Sequence, residues 1–442
     1  MKKPRVTEPA VHRNDRATAA RRSSIPAAGA LLLSLFVAVP ARAQDTTRAK
    51  QDSIAARLER AEEQIKMLQQ TLAAESENKV TTRSHMSLEL NGRVLVTGFS
   101  NSRRVNNVDV PLFVRPDTAS GLPQGGAGMA IRQTTVGLAV TSPQVFGGAF
   151  RGDIDVDFFG GQQPSTGGRT FPLLRLRTAR AMVKWVQGEF EVGQDAPLIA
   201  SVNPVSLASV GTPGFAGAGN LWLWLPQVRA GLETGGKISI GVQGAVLAPT
   251  SGDPANAFDT DNDVAEHSSR PYLQGRVHVR WGADDMAGDI GFGVHQGWFA
   301  AKGDSLITSS AVAADVTLPL AHWLELRGEA FQGQALKGLG GGGIGQSFGL
   351  NGVPVHTSGG WAQVNFKPST RLLIGAGYGM DDPRDSDLGP GARLKNVVRE
   401  AHIHVRPGGP FVFGFEYRQL ATTYSTGVLG NDHLNFSAGI EF

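Results

Sequence analysis

From Ser87 to the carboxy terminus, apolar and polar residues alternate with a period of two. Leu88, Leu90, Val94 and Val96 interleave with Glu89, Asn91, Arg93 and Thr97, and Phe150, Ile154, Val156 and Phe158 with Arg151, Asp153, Asp155 and Asp157. Further on, Leu273, Val277, Val279 and Trp281 oppose Gln274, Arg276, His278 and Arg280. The last segment sets Leu434, Phe436, Ala438, Ile440 and Phe442 against His433, Asn435, Ser437 and Glu441. Successive side chains of a strand point to opposite faces, so each segment predicts a strand with one greasy and one wet face. Segments of roughly ten residues are too short for membrane helices and long enough for tilted strands crossing a bilayer.

Walking the chain gives sixteen such segments. Short turns (Ser142–Gln144, Gln187–Gly188, Gly235–Gly236) alternate with long links at Phe99–Gly128, Gly160–Phe171, Asp195–Leu225, Thr250–Arg270, Gly333–Ser358, Met380–Arg393 and Gln419–Gly430. Hydrocarbon cannot satisfy an open sheet edge, so the strands are expected to close on one another. The expectation is an all-β membrane fold, a 16-stranded antiparallel transmembrane barrel over residues 86–442, with a water-filled lumen. Trp185, Trp281, Trp298, Trp323, Trp361, Tyr378 and Tyr417 are expected at the membrane interfaces, or against a neighbouring subunit. A soluble sandwich or propeller remains an alternative, but it does not explain the alternation of long and short links.

The period changes upstream. Ile54, Leu58, Ala61, Ile65, Leu68 and Leu72 are spaced four and three apart, a heptad seam that predicts a helical coiled-coil stalk over residues 44–82. A single amphipathic helix is the alternative. Residues 1–43 read as a signal peptide, with a basic region ending in Arg21-Arg22, an apolar run from Ala27 to Val39, and a small-x-small cleavage site at Ala41-Arg42-Ala43. The arginine pair suits a twin-arginine signal poorly because Ser23, Ser24 and Ile25 follow it.

Composition agrees with an envelope barrel: 18% charged residues, 57 Gly and no Cys in 442 residues. The net charge of +3 is set by the leader, which holds eight basic residues against two acids, so the remainder is about −3. No nucleic-acid partner follows.

A chain ending on an aromatic residue after an alternating strand resembles bacterial outer-membrane barrel proteins, which implies that Phe442 acts as an assembly signal read by the barrel-assembly machinery. A heptad stalk ahead of a barrel further resembles the trimeric stalked porins, the phosphate-selective porin O/P and DcaP-like group. The likeness is carried by the stalk seam, Leu88-Glu89-Leu90-Asn91-Gly92, Leu174-Arg175-Leu176-Arg177 leading to Gly193-Gln194, and Pro226-Gln227-Val228-Arg229. Asn396, Arg406-Pro407 and Phe413-Gly414-Phe415-Glu416-Tyr417-Arg418 add to it. The resemblance implies a homotrimer among outer-membrane lipid and lipopolysaccharide, and a third long link, residues 195–225, folded inward to narrow the pore. It implies no cofactor. The inner loop lacks a dense ladder of Arg or Lys, which leaves phosphate specificity without a carrier.

Rings of charge at a narrowing set pore selectivity. By alternation Arg151, Arg175, Arg177, Arg229, Arg276 and Arg280 face the lumen on the basic side, and Asp153, Asp155, Asp157, Glu189 and Glu191 on the acidic side. Arginine forks suit carboxylate and phosphate, so a mild preference for anions such as dicarboxylates is expected. Cross-strand pairing of solvated wall charges is the plainer reading. The loop itself is nearly uncharged, with Asp195 at its root and Asn203, Asn220, Ser201, Ser206 and Ser209 as polar groups, so neutral solutes should also pass. Rival readings are a non-conducting barrel that tethers the membrane, and a barrel hydrolase. The second needs a serine beside a histidine on the lipid face, and none can be placed. Glu400, His402 and His404 share a strand phase, but an i, i+2 histidine pair on a wet strand is weak evidence for a metal, so no metal site is assigned. The glycine run at 340–345 lacks the lysine of a phosphate loop.

Overall fold

The computed structural model describes residues 80–81, 86–119, 121–160, 172–252, 261–303 and 305–442. The signal peptide and the heptad positions Ile54, Leu58, Ala61, Ile65, Leu68 and Leu72 lie outside the described residues.

Sixteen antiparallel strands close into a ring, as the alternation predicts. They are β1 (Ser87–Asn101), β2 in two pieces (Gly126–Ala130 and Thr135–Val145), β3 (Gly148–Gly160), β4 (Leu173–Lys184) and β5 (Gly188–Asp195). β6 (Leu225–Glu233), β7 (Ile238–Leu247), β8 (Tyr272–Trp281), β9 (Gly288–Ala300), β10 (Leu306–Ala321) and β11 (Leu324–Gln334) follow. β12 (His356–Ser369), β13 (Leu372–Pro383), β14 (Lys395–Gly408), β15 (Phe411–Tyr424) and β16 (Gly427–Glu441) complete the ring.

The closing register runs from His433 opposite Asn101 to Glu441 opposite Arg93. Beyond it, Gly92 and Phe442 exchange backbone hydrogen bonds of 2.9 and 3.0 Å. Where β16 ends, Val80–Thr81 takes its place beside Leu88 and Ser87. This pair sits inside the segment expected to be helical, so extended backbone begins there several residues early.

Burial is inverted relative to a soluble protein. On β7, Ile238, Ile240, Val242 and Val246 are exposed, while Ser239 and Gln243 are buried. On β14, Ile403 and Val405 are exposed, while Asn396, Glu400, His402 and His404 are buried. A continuous exposed apolar belt around a closed barrel needs lipid, not water, against it.

Three details depart from the sequence expectation. The expected long link Gln419–Gly430 is a strand hairpin with only Ser425–Thr426 between β15 and β16. Likewise, β13 runs to Pro383, taking in the first four residues of the link expected from Met380. Strands that project past the lipid lose the apolar half of their alternation while keeping their ladders. Trp361 is the third departure: it points inward, is 3% exposed and stacks on Phe215 at 5.7 Å, so it is no interfacial anchor. Trp185, Trp323 and Tyr378 do face outward.

Two local irregularities change what reaches the lumen. Between the pieces of β2, residues 131–134 leave the ladder, and the Thr134 hydroxyl accepts the Leu95 N–H (3.1 Å) and donates to the Leu95 carbonyl (3.3 Å). The excursion carries Gln133, fully buried, into the lumen. Between β3 and β4, Asp155 opposes Thr178 while the next residue, Val156, opposes Leu176. Arg177 is therefore an extra residue, and the inward phase shifts from Arg175 to Thr178 and Arg180.

Candidate functional site: the inner loop and the charged wall

The chain between β5 and β6 cannot join the sheet, yet most of it is buried within the ring. Buried backbone needs hydrogen-bond partners, and here lumen-facing side chains supply them. Gln274 accepts the N–H groups of Leu198 (2.7 Å) and Ile199 (3.3 Å). Gln363 accepts from Val205 N–H (2.7 Å) and donates back to its carbonyl (3.0 Å). Gln133 receives Val210 N–H (2.8 Å) and Gly211 N–H (2.9 Å) and donates to the Ala208 carbonyl (2.7 Å). Asn396 donates to the Gly217 carbonyl (2.7 Å), and Glu329 accepts Leu221 N–H (3.2 Å).

Glu416 binds the middle of the loop. Its carboxylate accepts the Ser206 hydroxyl (2.9 Å) and the N–H groups of Leu207 (2.7 Å) and Ala208 (3.0 Å). Arg418 lies 2.9 Å from the same carboxylate and donates to Ser206 (3.0 Å) and Ser209, while Glu400 faces its Nε at 3.3 Å. His404 stacks on His402 at 4.7 Å and reaches Glu416 at 3.3 Å. Among the described residues no group of three potential ligands has the geometry to hold a metal ion.

Apolar contacts complete the seat. Leu198, Ile199 and Leu221 pack among Leu247, Tyr272, Phe299 and Phe331, while Phe215 packs with Trp361 and Val398, and Leu207 with Leu95 and Val412. Lumen-facing glycines make the room. A methyl group at Gly293 would lie 2.8 Å from Ile199, one at Gly414 2.9 Å from Leu207, and one at Gly379 2.5 Å from the Phe215 ring. Gly219, at φ +98°, runs so close to Gly360 that a Cβ would fall 2.3 Å from its backbone nitrogen.

The structure gathers the charges singled out from the sequence into two sets. In the first, Arg175 pairs with Asp157 (2.6 Å) and donates to the Gly211 carbonyl, and Arg177 pairs with Asp155 (2.7 Å). Arg151 pairs with Asp153 (3.1 Å), which also takes Arg180 (3.0 Å). Arg180 and Arg229 both bind Asp195, at 2.8 and 2.9 Å, fixing the root of the loop, and Arg229 also reaches Glu191 (2.7 Å). The loop's Trp224 ring lies 5.4 Å from the Arg175 guanidinium and 5.0 Å from that of Arg177. In the second set, Arg276 pairs with Asp315 (2.6 Å) and Asp289 (2.5 Å), and Arg280 with Asp289 (2.7 Å) and Glu233. No ion pair joins the two sets among the described residues. Asn203 and Asn220 turn toward each other within the loop (3.4 Å), and Asn220 also donates to the Gly214 carbonyl (2.9 Å).

Arg180, Gln133, Gln274, Gln363, Glu329, Glu416 and Arg418 were not singled out from the sequence as site residues. The alternation does place Gln274, Gln363, Glu329, Glu416 and Arg418 in the inward phase of their strands, but among other polar groups of the same face that do not distinguish them. Arg180 is hidden by the bulge at Arg177, and Gln133 by the break in β2.

No family model matches the chain, and no curated protein matches it in sequence. Solved structures do resemble it. The outer membrane channel DcaP of Acinetobacter baumannii superposes with a TM-score of 0.61 at 18% identity, covering 82% of this chain and 99% of that one. The anion-selective porin from Comamonas acidovorans gives a TM-score of 0.52 at 13% identity, covering 81% and 100%. The chain has the barrel fold of outer-membrane porins.

Proposed function

We propose that the protein is an outer-membrane porin, a passive diffusion channel for small hydrophilic solutes in which residues 195–225 form the constriction. The observation that carries this reading is the docked loop. A strand connection folded inward and held by wall side chains from β2, β8, β11, β12, β14 and β15 narrows a lumen that sixteen strands would otherwise leave wide.

A mild preference for anions such as dicarboxylates or phosphate belongs to the same reading. In most wall pairs the base is the more exposed partner: 43% against 12% for Arg151 and Asp153, 34% against 14% for Arg280 and Glu233, and 30% against 10% for Arg180 and Asp195. Each such pair is a dipole with its guanidinium end toward the solute, and its carboxylate shielded behind. Arg177 with Asp155 and Arg276 with Asp289 run the other way, which keeps the preference mild.

The signal peptide would carry the chain across the inner membrane, and the heptad seam would tie three copies together on the periplasmic side. An apolar groove of about 510 Å³ on the outer wall, lined by Leu138, Val140, Phe150, Ile154, Ala179 and Ala181, suits a neighbouring copy.

Purified protein in a planar bilayer should conduct in steps of three. Under a salt gradient the reversal potential should lie on the anion side. A sealed barrel would sink the porin reading in favour of the tether, and a strong cation preference would sink the anion one. Removing Phe442, whose backbone ties β16 to Gly92, should lower the amount of assembled barrel more than the conductance of each assembled channel. Normal assembly of the truncated chain would end its role as the assembly signal.

A further inference from the structure

Against the inner loop, on the side of the long connections, lies a cavity of about 540 Å³ that no wall strand lines. Its walls come from five connections. The one after β1 supplies Asn106 and Phe113, the inner loop Trp222, the one after β7 Thr250, the one after β11 Lys337, and the one after β13 Arg393. The charged side chains among its described lining residues are both basic, Lys337 and Arg393.

Arg393 differs from the arginines of the wall. Its guanidinium lies 4.3 Å over the Phe113 ring, its Nε donates to the Ile344 carbonyl (3.1 Å), and it makes no ion pair among the described residues. Burial lowers its pKa from the ordinary arginine value, opposed by the charges of Tyr424 and Asp381. Asp381 is engaged elsewhere, accepting the N–H groups of Gly343 (3.1 Å) and Ile344 (2.9 Å) and the Thr357 hydroxyl (2.6 Å). The Nη groups of Arg393 have no acceptor among the described residues. Phe113 is set in place by Asn106, whose side-chain oxygen accepts Leu112 N–H (2.9 Å) and Phe113 N–H (3.1 Å). Trp222, 8% exposed, has an indole N–H with no acceptor among the described residues.

We infer that this vestibule is a binding subsite for a small organic monoanion with a flat apolar body, its charged group on the Arg393 fork and its body against Phe113 and Trp222. The volume is within the range of small-molecule sites, and an aromatic-lined pocket with one uncompensated fork selects for charge and apolar surface together. A wall of paired charges offers no such combination. The inference rests on the porin reading for its use, since a solute held there would wait directly before the constriction.

Benzoate is the probe. Full-length protein in detergent, assembled as a heat-resistant barrel, should bind benzoate saturably in equilibrium dialysis at one site per chain, and bind acetate and benzyl alcohol far more weakly. Arg393→Gln should weaken benzoate binding about tenfold or more, the loss expected for one charge-assisted fork. Lys337→Gln, a second variant in case the first misfolds, should weaken it less. No saturable binding by the wild type, or equal binding of acetate, overturns the subsite whether or not the barrel conducts. Saturable binding by a barrel that does not conduct overturns the porin reading and leaves the subsite standing.

Discussion

Single-channel conductance should rise when Glu416 is replaced by alanine. The substitution removes the acceptor of Ser206, Leu207 and Ala208 at once and leaves Arg418, 3% exposed, with Glu400 as its remaining carboxylate. Breaking a buried hydrogen-bonded charge in this way costs about 3–5 kcal/mol. The cost falls on the loop and not on the barrel, because the wall strands keep their ladders while residues 205–209 have no sheet of their own. The middle of the loop should therefore leave the wall, and the largest sugar admitted in liposome swelling should increase. Glu416→Gln keeps an acceptor oxygen and should change conductance less. An alanine variant with wild-type conductance and size limit would show that the loop is held elsewhere, or does not narrow the path.

A second large effect is a change in the sign of ion selectivity. Replacing Arg151, Arg180 and Arg280 together with glutamine removes three of the more exposed cations and leaves Asp153, Asp195, Glu233 and Asp289 facing the lumen with fewer partners. The reversal potential in a potassium chloride gradient should move from the anion side to the cation side, most clearly at low salt, where charges are least screened. Alanine or glutamine at Arg276 alone should move it little, since that guanidinium is 1% exposed and enclosed by Asp289 and Asp315. If the triple variant kept an anion-side potential, the outward-turned guanidinium ends could not be its source.

Both expectations depend on contacts of very different sequence span. Arg151 and Asp153 sit two apart on one strand, and their shared inward phase follows from the alternation. Ser206 and Glu416 are separated by 210 positions. Nothing in the spacing of either residue points to the other, although each is visible alone as a polar group in a greasy setting. Arg180 stands between these cases. It is local, yet one extra residue at Arg177 reverses its phase, and period-two reading assigns it to the wrong face.

By itself the sequence determined the architecture: the number of strands, their closure and, away from bulges and breaks, the lipid-facing side of each. These follow from constraints that act residue by residue, namely a side-chain period of two and the need to pair every backbone group in hydrocarbon. The tertiary structure alone decided how far each strand projects, that Trp361 turns inward to meet Phe215, which carboxamides and carboxylates hold the loop, and that five connections enclose a basic, aromatic vestibule around Arg393. Those outcomes depend on which segments meet across the ring and on a bulge or a break that shifts phase locally, and alternation along one strand carries no record of its partner on another.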